Sequence, residues 1–365
     1  MVDEHALAQR LIRYDTSRPQ ELIDAAGYLC CWLQSRGIQV RRRELKGLPV
    51  LLAEVGAEPA ADRPCVIFHG HLDVVPGLPD QFEPRIDGDR LIGRGAYDMK
   101  GALAGMLCAL TDVAVQDRVR VRLVCVPDEE SEDVEGRCTD RIVADGLGGD
   151  FAITGEPTDM HIGVEAKGVL LMRIVVRGRA AHSSTPWLGD NAVVKAVDVF
   201  RTLQTLPFSR ESSRMFDRPS INLGKVAGGD VFNKVPDRCT IWVDVRYLPG
   251  QDPETILRQV RSIPDIDAEP VFQLPPVGVA PDDPFVRALT GAAGRHEGEA
   301  LSVGRDGASD AASFLAAGIP AVEFGPTGGG HHGPDEWLSL SALSRYRRAL
   351  CEFVNRLPER IGEPA

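Results

Sequence analysis

The chain has 365 residues, 43% of them hydrophobic, so two domains with sizeable cores are expected. Its formal net charge of -12 argues against a nucleic-acid or anionic-membrane surface. The polar first residues, the lack of a long apolar run and eight cysteines without CxxC spacing favour a cytoplasmic protein without a disulfide framework.

The first part of the chain alternates between helical and extended hydrophobic patterns. Helices are predicted over residues 7–14, 21–35 and 100–115. Strands are predicted over residues 39–45, 50–55, 64–68, 119–126 and 150–154. Polar residues follow several of these strands, a pattern typical of an open α/β sheet with its functional site at the strand ends.

From about Lys167 the pattern changes. Strands are predicted over residues 169–176, 220–226, 239–246 and 268–273, with helices over 191–206 and 253–263. This βαββαβ order suits a ferredoxin-like α+β unit. A helix over residues 284–295, a strand over 321–324 and a helix over 341–357 then return to the first domain. The sequence predicts a mixed-sheet α/β domain of residues 1–166 and 275–365 and an inserted domain of residues 167–274.

Acidic residues and histidines recur where the predicted strands of the first domain end. They are His71, Asp73, Asp98, Glu129, Glu130, Glu156 and the run His331-His332-Gly333-Pro334-Asp335-Glu336. Imidazoles and carboxylates form a ligand set that suits zinc, with cobalt or manganese as alternatives. One carboxylate bridging two ions, with a histidine and a further carboxylate on each, would make a two-metal hydrolytic site.

The Glu129-Glu130 pair is informative because neighbouring residues in an extended turn point in different directions. One can bind metal while the other stays free as a base. Each of these features also has an ordinary structural interpretation when it is taken alone. His71 and Asp73 could form a simple hydrogen-bonded pair, and the two glutamates could lie in a solvated loop.

Together these residues form motifs that resemble a known family over nearly the whole chain. The motifs are His71-Leu72-Asp73-Val74-Val75-Pro76, the segment from Gly93 to Gly101, Asp128-Glu129-Glu130, Gly155-Glu156-Pro157-Thr158 and His332-Gly333-Pro334-Asp335-Glu336. They resemble the acetylornithine deacetylase, succinyl-diaminopimelate desuccinylase and glutamate carboxypeptidase family of dinuclear zinc hydrolases. The fold implied is a zinc-hydrolase catalytic domain with an inserted lid and dimerisation domain.

The resemblance implies two zinc ions per chain, with Co²⁺ or Mn²⁺ able to substitute. The implied ligands are His71 and Glu156 on one ion, Glu130 and His332 on the other, and Asp98 on both, with a cis peptide after Asp98. Asp73 would orient His71, and Glu129 would be the general base. His332 matches the family histidine better than His331 does, and Tyr97 stands where a small residue is usual.

In the inserted domain the resemblance implies three substrate-facing residues. His182 would reach the reacting carbonyl, Asn233 would contact substrate, and Arg246 would grip a substrate carboxylate. Without the resemblance, all three are interpreted as ordinary surface positions. The family also implies a homodimer through this domain, with His182 entering the partner's active site. We place His69 on the side of its strand opposite to His71, where it would pack and not bind metal.

The function implied is hydrolysis of the amide bond of an N-acyl amino acid, or of a similar small substrate with a free carboxylate. Glu129 would take a proton from the attacking water and hand it to the leaving amine, while zinc and His182 stabilise the oxyanion. A dipeptidase or carboxypeptidase acting on a short peptide is the nearest alternative. A zinc aminopeptidase and a catalytically inactive binding protein are more distant ones.

Overall fold

The structure is a computed structural model that describes residues 3–58, 63–131 and 136–361. The chain divides into two compact units. The first combines Met1–Val164, Val279–Val303 and Ser309–Ala365, and the second combines Glu165–Gly278 and Gly304–Ala308. The second unit is therefore inserted in the sequence of the first.

The first part of the chain forms most of the sheet of the first unit. Its elements are α1 (Glu4–Ile12), α2 (Pro19–Gln34), β1 (Val40–Leu45), β2 (Leu48–Gly56), β3 (Cys65–His71), β4 (Arg85–Asp87), β5 (Arg90–Ile92), α3 (Gly101–Asp112), β6 (Arg120–Val126), α4 (Cys138–Ala144), β7 (Phe151–Thr154) and β8 (Ile162–Ala166).

The remaining elements complete both units. The middle of the chain forms β9 (Gly168–Arg177), α5 (Ala192–Leu203), β10 (Ser220–Gly228), β11 (Arg238–Tyr247), α6 (Pro253–Arg261), β12 (Ile266–Leu274) and β13 (Val277–Gly278). The last part forms α7 (Pro284–Glu297), β14 (Ser302–Arg305), α8 (Ala311–Ala316), β15 (Ala321–Glu323), β16 (Gly328–Gly329), β17 (Trp337–Ser339) and α9 (Leu340–Ile361).

The main sheet of the first unit runs in the order β1-β2-β6-β3-β7-β15-β8. The neighbours β6, β3, β7 and β15 are parallel, whereas β1, β2 and β8 pair antiparallel. Val66, Ile67 and Phe68 of β3 are all fully buried, as expected for a strand covered on both faces. The predicted mixed-sheet α/β fold class is confirmed.

The second unit contains an antiparallel sheet in the order β10-β11-β9-β12, with α5 and α6 in the connections. Every second residue of β11 is buried, from Cys239 to Tyr247, because only one face of the sheet packs against the helices. The βαββαβ order agrees with the ferredoxin-like pattern in the sequence.

Several element boundaries differ from the sequence-based predictions in ways that matter for the site. The strand expected to end at Phe68 continues to His71, so this histidine ends β3 and does not lie in a loop. The short strands β4, β5, β16 and β17 were not predicted, because strands of two or three residues carry no measurable periodicity. They form a separate small sheet in the order β16-β17-β5-β4.

Two further observations concern the chain's chemistry and surroundings. All eight cysteines are free thiols. Among the described residues, no helix combines the length and apolar character needed to cross a lipid bilayer.

Candidate metal centre

The parallel strands of the main sheet place the proposed ligands along one edge. His71 is the last residue of β3, Glu129 and Glu130 follow β6, and Glu156 follows β7. Because the carboxyl ends of parallel strands meet at the same edge of a sheet, these side chains converge there.

Two groups of potential metal ligands meet at Asp98. In each group the ligand atoms lie within 4.8 Å of one another, and the groups are His71, Asp98, Glu156 and Asp98, Glu130, His331, His332. Asp98 Oδ1 lies 3.1 Å from His71 Nε2, and Asp98 Oδ2 lies 3.3 Å from His332 Nε2. Glu130 Oε1 is 2.8 Å from His332 Nε2. A carboxylate that turns its two oxygens to two ligand groups has the arrangement of a bridge between two ions.

Both histidines of the doublet reach the carboxylate of Asp98. His331 Nε2 contacts Asp98 Oδ2 even more closely than His332 Nε2 does, although the His331 side chain is 50% exposed. The ring of Tyr97 meets the His331 ring edge-on at a centroid distance of 6.3 Å, and its hydroxyl donates to Asp159 Oδ1 at 2.9 Å. Tyr97 therefore forms a buried wall beside His331, fixed at its far end by Asp159.

The turn that presents Asp98 is held by Glu336, for which the sequence alone predicts no role. The Glu336 carboxylate accepts hydrogen bonds from the backbone N–H groups of Gly95, Tyr97 and Asp98 at 2.9–3.0 Å. It also pairs with the buried guanidinium of Arg94 at 2.7 Å. The peptide between Asp98 and Met99 is cis, as the family resemblance implies. The only sequence signal for Glu336 is its place at the end of the His332 motif.

Asp73 contacts both His71 and the Glu129-Glu130 pair. Its backbone carbonyl oxygen lies 3.0 Å from His71 Nδ1, whereas its carboxylate lies 3.6 Å away. With Nδ1 donating to this carbonyl, Nε2 is left free for a metal. The carboxylate instead accepts hydrogen bonds from the backbone N–H groups of Glu129 at 3.2 Å and Glu130 at 2.8 Å. Asp73 therefore positions the glutamate pair as well as the imidazole.

Glu129 lies beside the ligands and has a separate bonding partner. One of its carboxylate oxygens lies within 4.8 Å of ligand atoms of His71 and Glu130. Its Oε1 accepts a hydrogen bond from Arg137 Nη1 at 3.3 Å. Burial raises the pKa of Glu129 to about 8, although the nearby His71 acts in the opposite direction. A carboxylate whose pKa lies near neutrality suits proton transfer.

The charge balance of the cluster fits a bound cation. Burial, and then repulsion from Asp98, raise the pKa of Glu156 well above its usual value. Glu156 Oε1 is buried and has no hydrogen-bond partner among the residues described. Divalent metal ions would supply the positive charge that these carboxylates lack, and zinc, cobalt and manganese all accept imidazole and carboxylate ligands.

His69 does not lie opposite His71, and that expectation is wrong. Both residues belong to β3 and are two positions apart, so they face the same side of the strand. His69 is fully buried, with Nε2 2.9 Å from Thr139 Oγ1 and its ring edge-on to Phe314. It occurs in none of the ligand groups found among the described residues.

The three remaining site residues lie in the second unit. His182 is exposed, and its Nδ1 lies 2.8 Å from Ser184 Oγ. The loops of His182 and Asn233 are neighbours, since the Ser183 N–H donates to the Asn233 carbonyl at 3.1 Å. Arg246 lies on β11 and pairs with Asp244 of the same strand at 3.1 Å. The candidate metal ligands thus all belong to the first unit.

A family model supports the same interpretation. Residues 67–356 match the model of peptidase family M20/M25/M40, which is most of the chain. The chain belongs to this family. Like other M20 members it is a metal-dependent enzyme that hydrolyses amide bonds, and the resemblance stated from the motifs is confirmed.

Curated relatives match the chain over most of its length. A putative succinyl-diaminopimelate desuccinylase from Mycobacterium tuberculosis is 33% identical over 270 residues, or 72% of this chain and 73% of the relative. A succinyl-diaminopimelate desuccinylase from Acidiphilium cryptum is 28% identical over 98% of both chains. The solved M20 family metallo-carboxypeptidase Sso-CP2 from Sulfolobus solfataricus shares the fold, with a TM-score of 0.79, 21% identity and coverage of 98% of this chain and 100% of that one.

Proposed function

We propose that this protein is a zinc-dependent deacylase that cleaves the amide bond of an N-acyl amino acid or a similar small substrate with a free carboxylate. The observation that carries the proposal is the pair of ligand groups sharing Asp98, with Glu129 beside them. The name succinyl-diaminopimelate desuccinylase, borne by both curated relatives, supports an acylated amino acid as the class of substrate.

The metal site is proposed to hold two zinc ions. One would be held by His71 and Glu156, the other by Glu130 and His332, and both by Asp98. When bound, the ions supply Lewis acidity to the amide carbonyl and acidify water in the site. The tight cluster of Asp98, Glu130 and the two histidines makes His332 the ligand of first choice, because its Nε2 also contacts Glu130.

Glu129 is proposed as the general base and then the general acid. It takes a proton from the attacking water on its carboxylate and delivers that proton to the nitrogen of the leaving amine. Its position supports this assignment, because its carboxylate lies within 4.8 Å of ligand atoms of His71 and Glu130 without being needed to hold either ion. Asp73 holds this residue through its backbone only, by accepting a hydrogen bond from the Glu129 N–H.

The second unit is proposed to act as a lid that recognises substrate. His182 would donate a hydrogen bond to the oxyanion, Asn233 would contact the substrate, and Arg246 would pair with its carboxylate. The exposure of His182 and Asn233 leaves their side chains free for such contacts. Arg246 would exchange Asp244 for the substrate carboxylate, which presents the same chemical group.

A homodimer through the second unit is also proposed. β10 ends its sheet, so one of its edges is open to pairing with another strand. The same unit exposes apolar side chains on α5 and β10, with Val194 58%, Val197 45% and Val226 49% exposed. Such side chains favour burial against a partner. We also propose a cytoplasmic location. All eight cysteines are free thiols, as a reducing compartment would keep them.

The test is a substrate screen with zinc-loaded protein. N-acetyl, N-succinyl and N-formyl amino acids are compared with dipeptides for the wild type, Glu129→Gln and Glu83→Gln. Glu83 is an exposed carboxylate paired with Arg13, so its variant serves as the matched control. Turnover of an acyl amino acid by the wild type and Glu83→Gln, but not by Glu129→Gln, is expected. Faster turnover of dipeptides would indicate a dipeptidase or carboxypeptidase, and metal binding without any turnover would indicate a binding protein.

A further inference from the structure

Glu129 is joined to a buried polar network that includes none of the proposed metal ligands. Nη1 of Arg137 donates to Glu129 Oε1 at 3.3 Å and to Asp310 Oδ1 at 3.1 Å. The other oxygen of Asp310 accepts from the Thr139 hydroxyl at 2.5 Å and lies 3.3 Å from His69 Nε2. A single guanidinium nitrogen therefore links the carboxylate of the proposed base to a second carboxylate that is itself held in place.

The network is buried, and its two carboxylates share one cation. His69, Thr139 and Asp310 are at most 1% exposed, and the Arg137 side chain is 15% exposed. Two carboxylates this deep in a protein are costly unless a cation and hydrogen bonds satisfy them. Arg137 supplies that cation, and it stays charged at every pH at which the protein is folded. It therefore acts as a fixed contact and not as a proton donor in catalysis.

The network also connects the base to the strand that carries a metal ligand. His69 is two residues before His71 in β3, Thr139 belongs to α4, and Asp310 immediately precedes α8. A carboxylate at the end of a glutamate side chain can rotate about three bonds, so its position in a site must be fixed by external contacts. Arg137 contacts Oε1 from the residue before α4, which packs on α8, and α8 packs in turn on β7 and β15.

We propose that Arg137, anchored by Asp310, Thr139 and His69, is a positioning residue that holds the carboxylate of Glu129 at the reacting water. This inference rests on the proposed role of Glu129 as the base. It assigns to Arg137 a task that affects the rate of proton transfer and not the binding of metal or substrate. Misplacement of a catalytic group by about 1 Å can cost on the order of a hundredfold in rate.

The first measurement separates kcat from KM in Arg137→Met, which keeps the length of the side chain but removes its charge and its donors. We expect kcat to fall by about 10- to 100-fold, with KM and bound metal unchanged. Arg137→Lys keeps the charge without the bridging geometry, so an intermediate kcat is expected. In Arg137→Ala, guanidinium at low millimolar concentration should restore part of kcat. A merely structural role would not produce this rescue.

Arg347 provides the matched control. Its guanidinium also bridges two carboxylates, Glu4 and Asp112, and its side chain is 13% exposed, close to the value for Arg137. Glu4 lies in α1 and Asp112 in α3, and neither belongs to the candidate metal centre. Arg347→Met should therefore lower thermal stability by an amount similar to Arg137→Met while leaving kcat unchanged. An equal fall in kcat for both variants would mean that Arg137 acts through stability alone.

A second readout does not depend on any substrate. Crystal structures of the zinc-loaded wild type and of Arg137→Met are compared, with Arg137→Lys in its place if the methionine variant does not fold. We expect Glu129 to occupy one rotamer in the wild type and several in the variant, while His71, Asp98 and Glu130 stay in place. An unchanged Glu129 rotamer would overturn the proposal. If the wild type hydrolyses none of the substrates, the proposed function fails, whereas the rotamer comparison still decides the role of Arg137.

Discussion

The metal centre of the first unit and the proposed substrate residues of the second unit are built in opposite ways. His71, Asp98 and Glu156 are at most 8% exposed, and their ligand atoms lie within 4.8 Å of one another. His182 and Asn233 are exposed, and Arg246 pairs with a neighbour two positions away on its own strand. Metal ligands must be held at fixed mutual distances, whereas side chains that receive a substrate must remain accessible before it arrives. The candidate ligands are thus already held together, whereas the proposed substrate residues remain accessible to a substrate.

Metal removal tests the preformed centre and should have the largest effect. Purified protein is expected to hold about two zinc ions per chain, because the two ligand groups share one carboxylate. A chelator should abolish turnover, and zinc or cobalt should restore it. Metal content is measured by elemental analysis alongside activity. Full activity in protein shown to be free of metal would refute the assignment.

The next largest effect separates base from ligand within the glutamate pair. Glu129→Gln should keep both metal ions yet lose about 10²- to 10⁴-fold in kcat, because a carboxamide cannot accept the proton. Glu130→Gln should instead weaken the binding of one ion, since Glu130 contacts His332. Metal titration and steady-state kinetics of both variants provide the check. The assignments are reversed if Glu129→Gln loses metal and Glu130→Gln retains it.

Arg246→Ala tests the recognition side of the comparison. Loss of a charge-assisted pair with a substrate carboxylate should raise KM, at a cost of about 2–5 kcal/mol when the partner charge is left buried. The metal content should not change. The increase in KM should be smaller for substrates whose carboxylate is amidated, because an amide carries no charge to pair with Arg246. An equal increase in KM for acid and amide substrates would exclude the proposed contact.

The smallest expected signal concerns which chain supplies His182. Glu129→Ala and His182→Ala should each be nearly inactive. Reassociation of equal amounts should give about half mixed dimers under two-fold symmetry. In each mixed dimer one site combines an intact Glu129 with an intact His182 of the other chain, so about a quarter of wild-type activity should return if sites are independent. Mixed dimers without recovered activity would rule out a contribution in trans, as would a strictly monomeric protein.

The same contrast explains how much of the site could be predicted from the sequence. The candidate ligands His71, Glu130 and Glu156 could be predicted because they follow buried strands, whose apolar runs are visible in the sequence, and because parallel strands bring their ends together. The assignment of these residues, and of Asp98 and His332, to two ions is what the family resemblance implies. His71 itself ends β3, beyond Phe68, at which the strand was expected to end. His182, Asn233 and Arg246 lie where no periodicity marks a site, so they rest on the family resemblance alone.

Contacts between distant segments could not be predicted from local patterns. Arg137 and Asp310 are 173 residues apart, and nothing in either neighbourhood identifies the other. The pairing of β17 with β5 depends in the same way on two three-residue strands from opposite parts of the chain. The error over His69 was of a different kind, because the two-residue period of a strand was sufficient to place it beside His71.

The hydrogen bonds of Glu336 have a consequence for the order in which the protein is made. Its partner Asp98 lies 238 residues earlier, so the turn that carries Asp98 leaves the ribosome well before Glu336 does. At a synthesis rate of about 5–20 residues per second, that delay is roughly 10–50 seconds. During this interval a nascent chain already carries His71, Asp98 and Glu156 but lacks the acceptor for the N–H groups around Asp98. Translation that stops before residue 336 therefore leaves a chain without the carboxylate that accepts these N–H groups and holds the turn at Asp98.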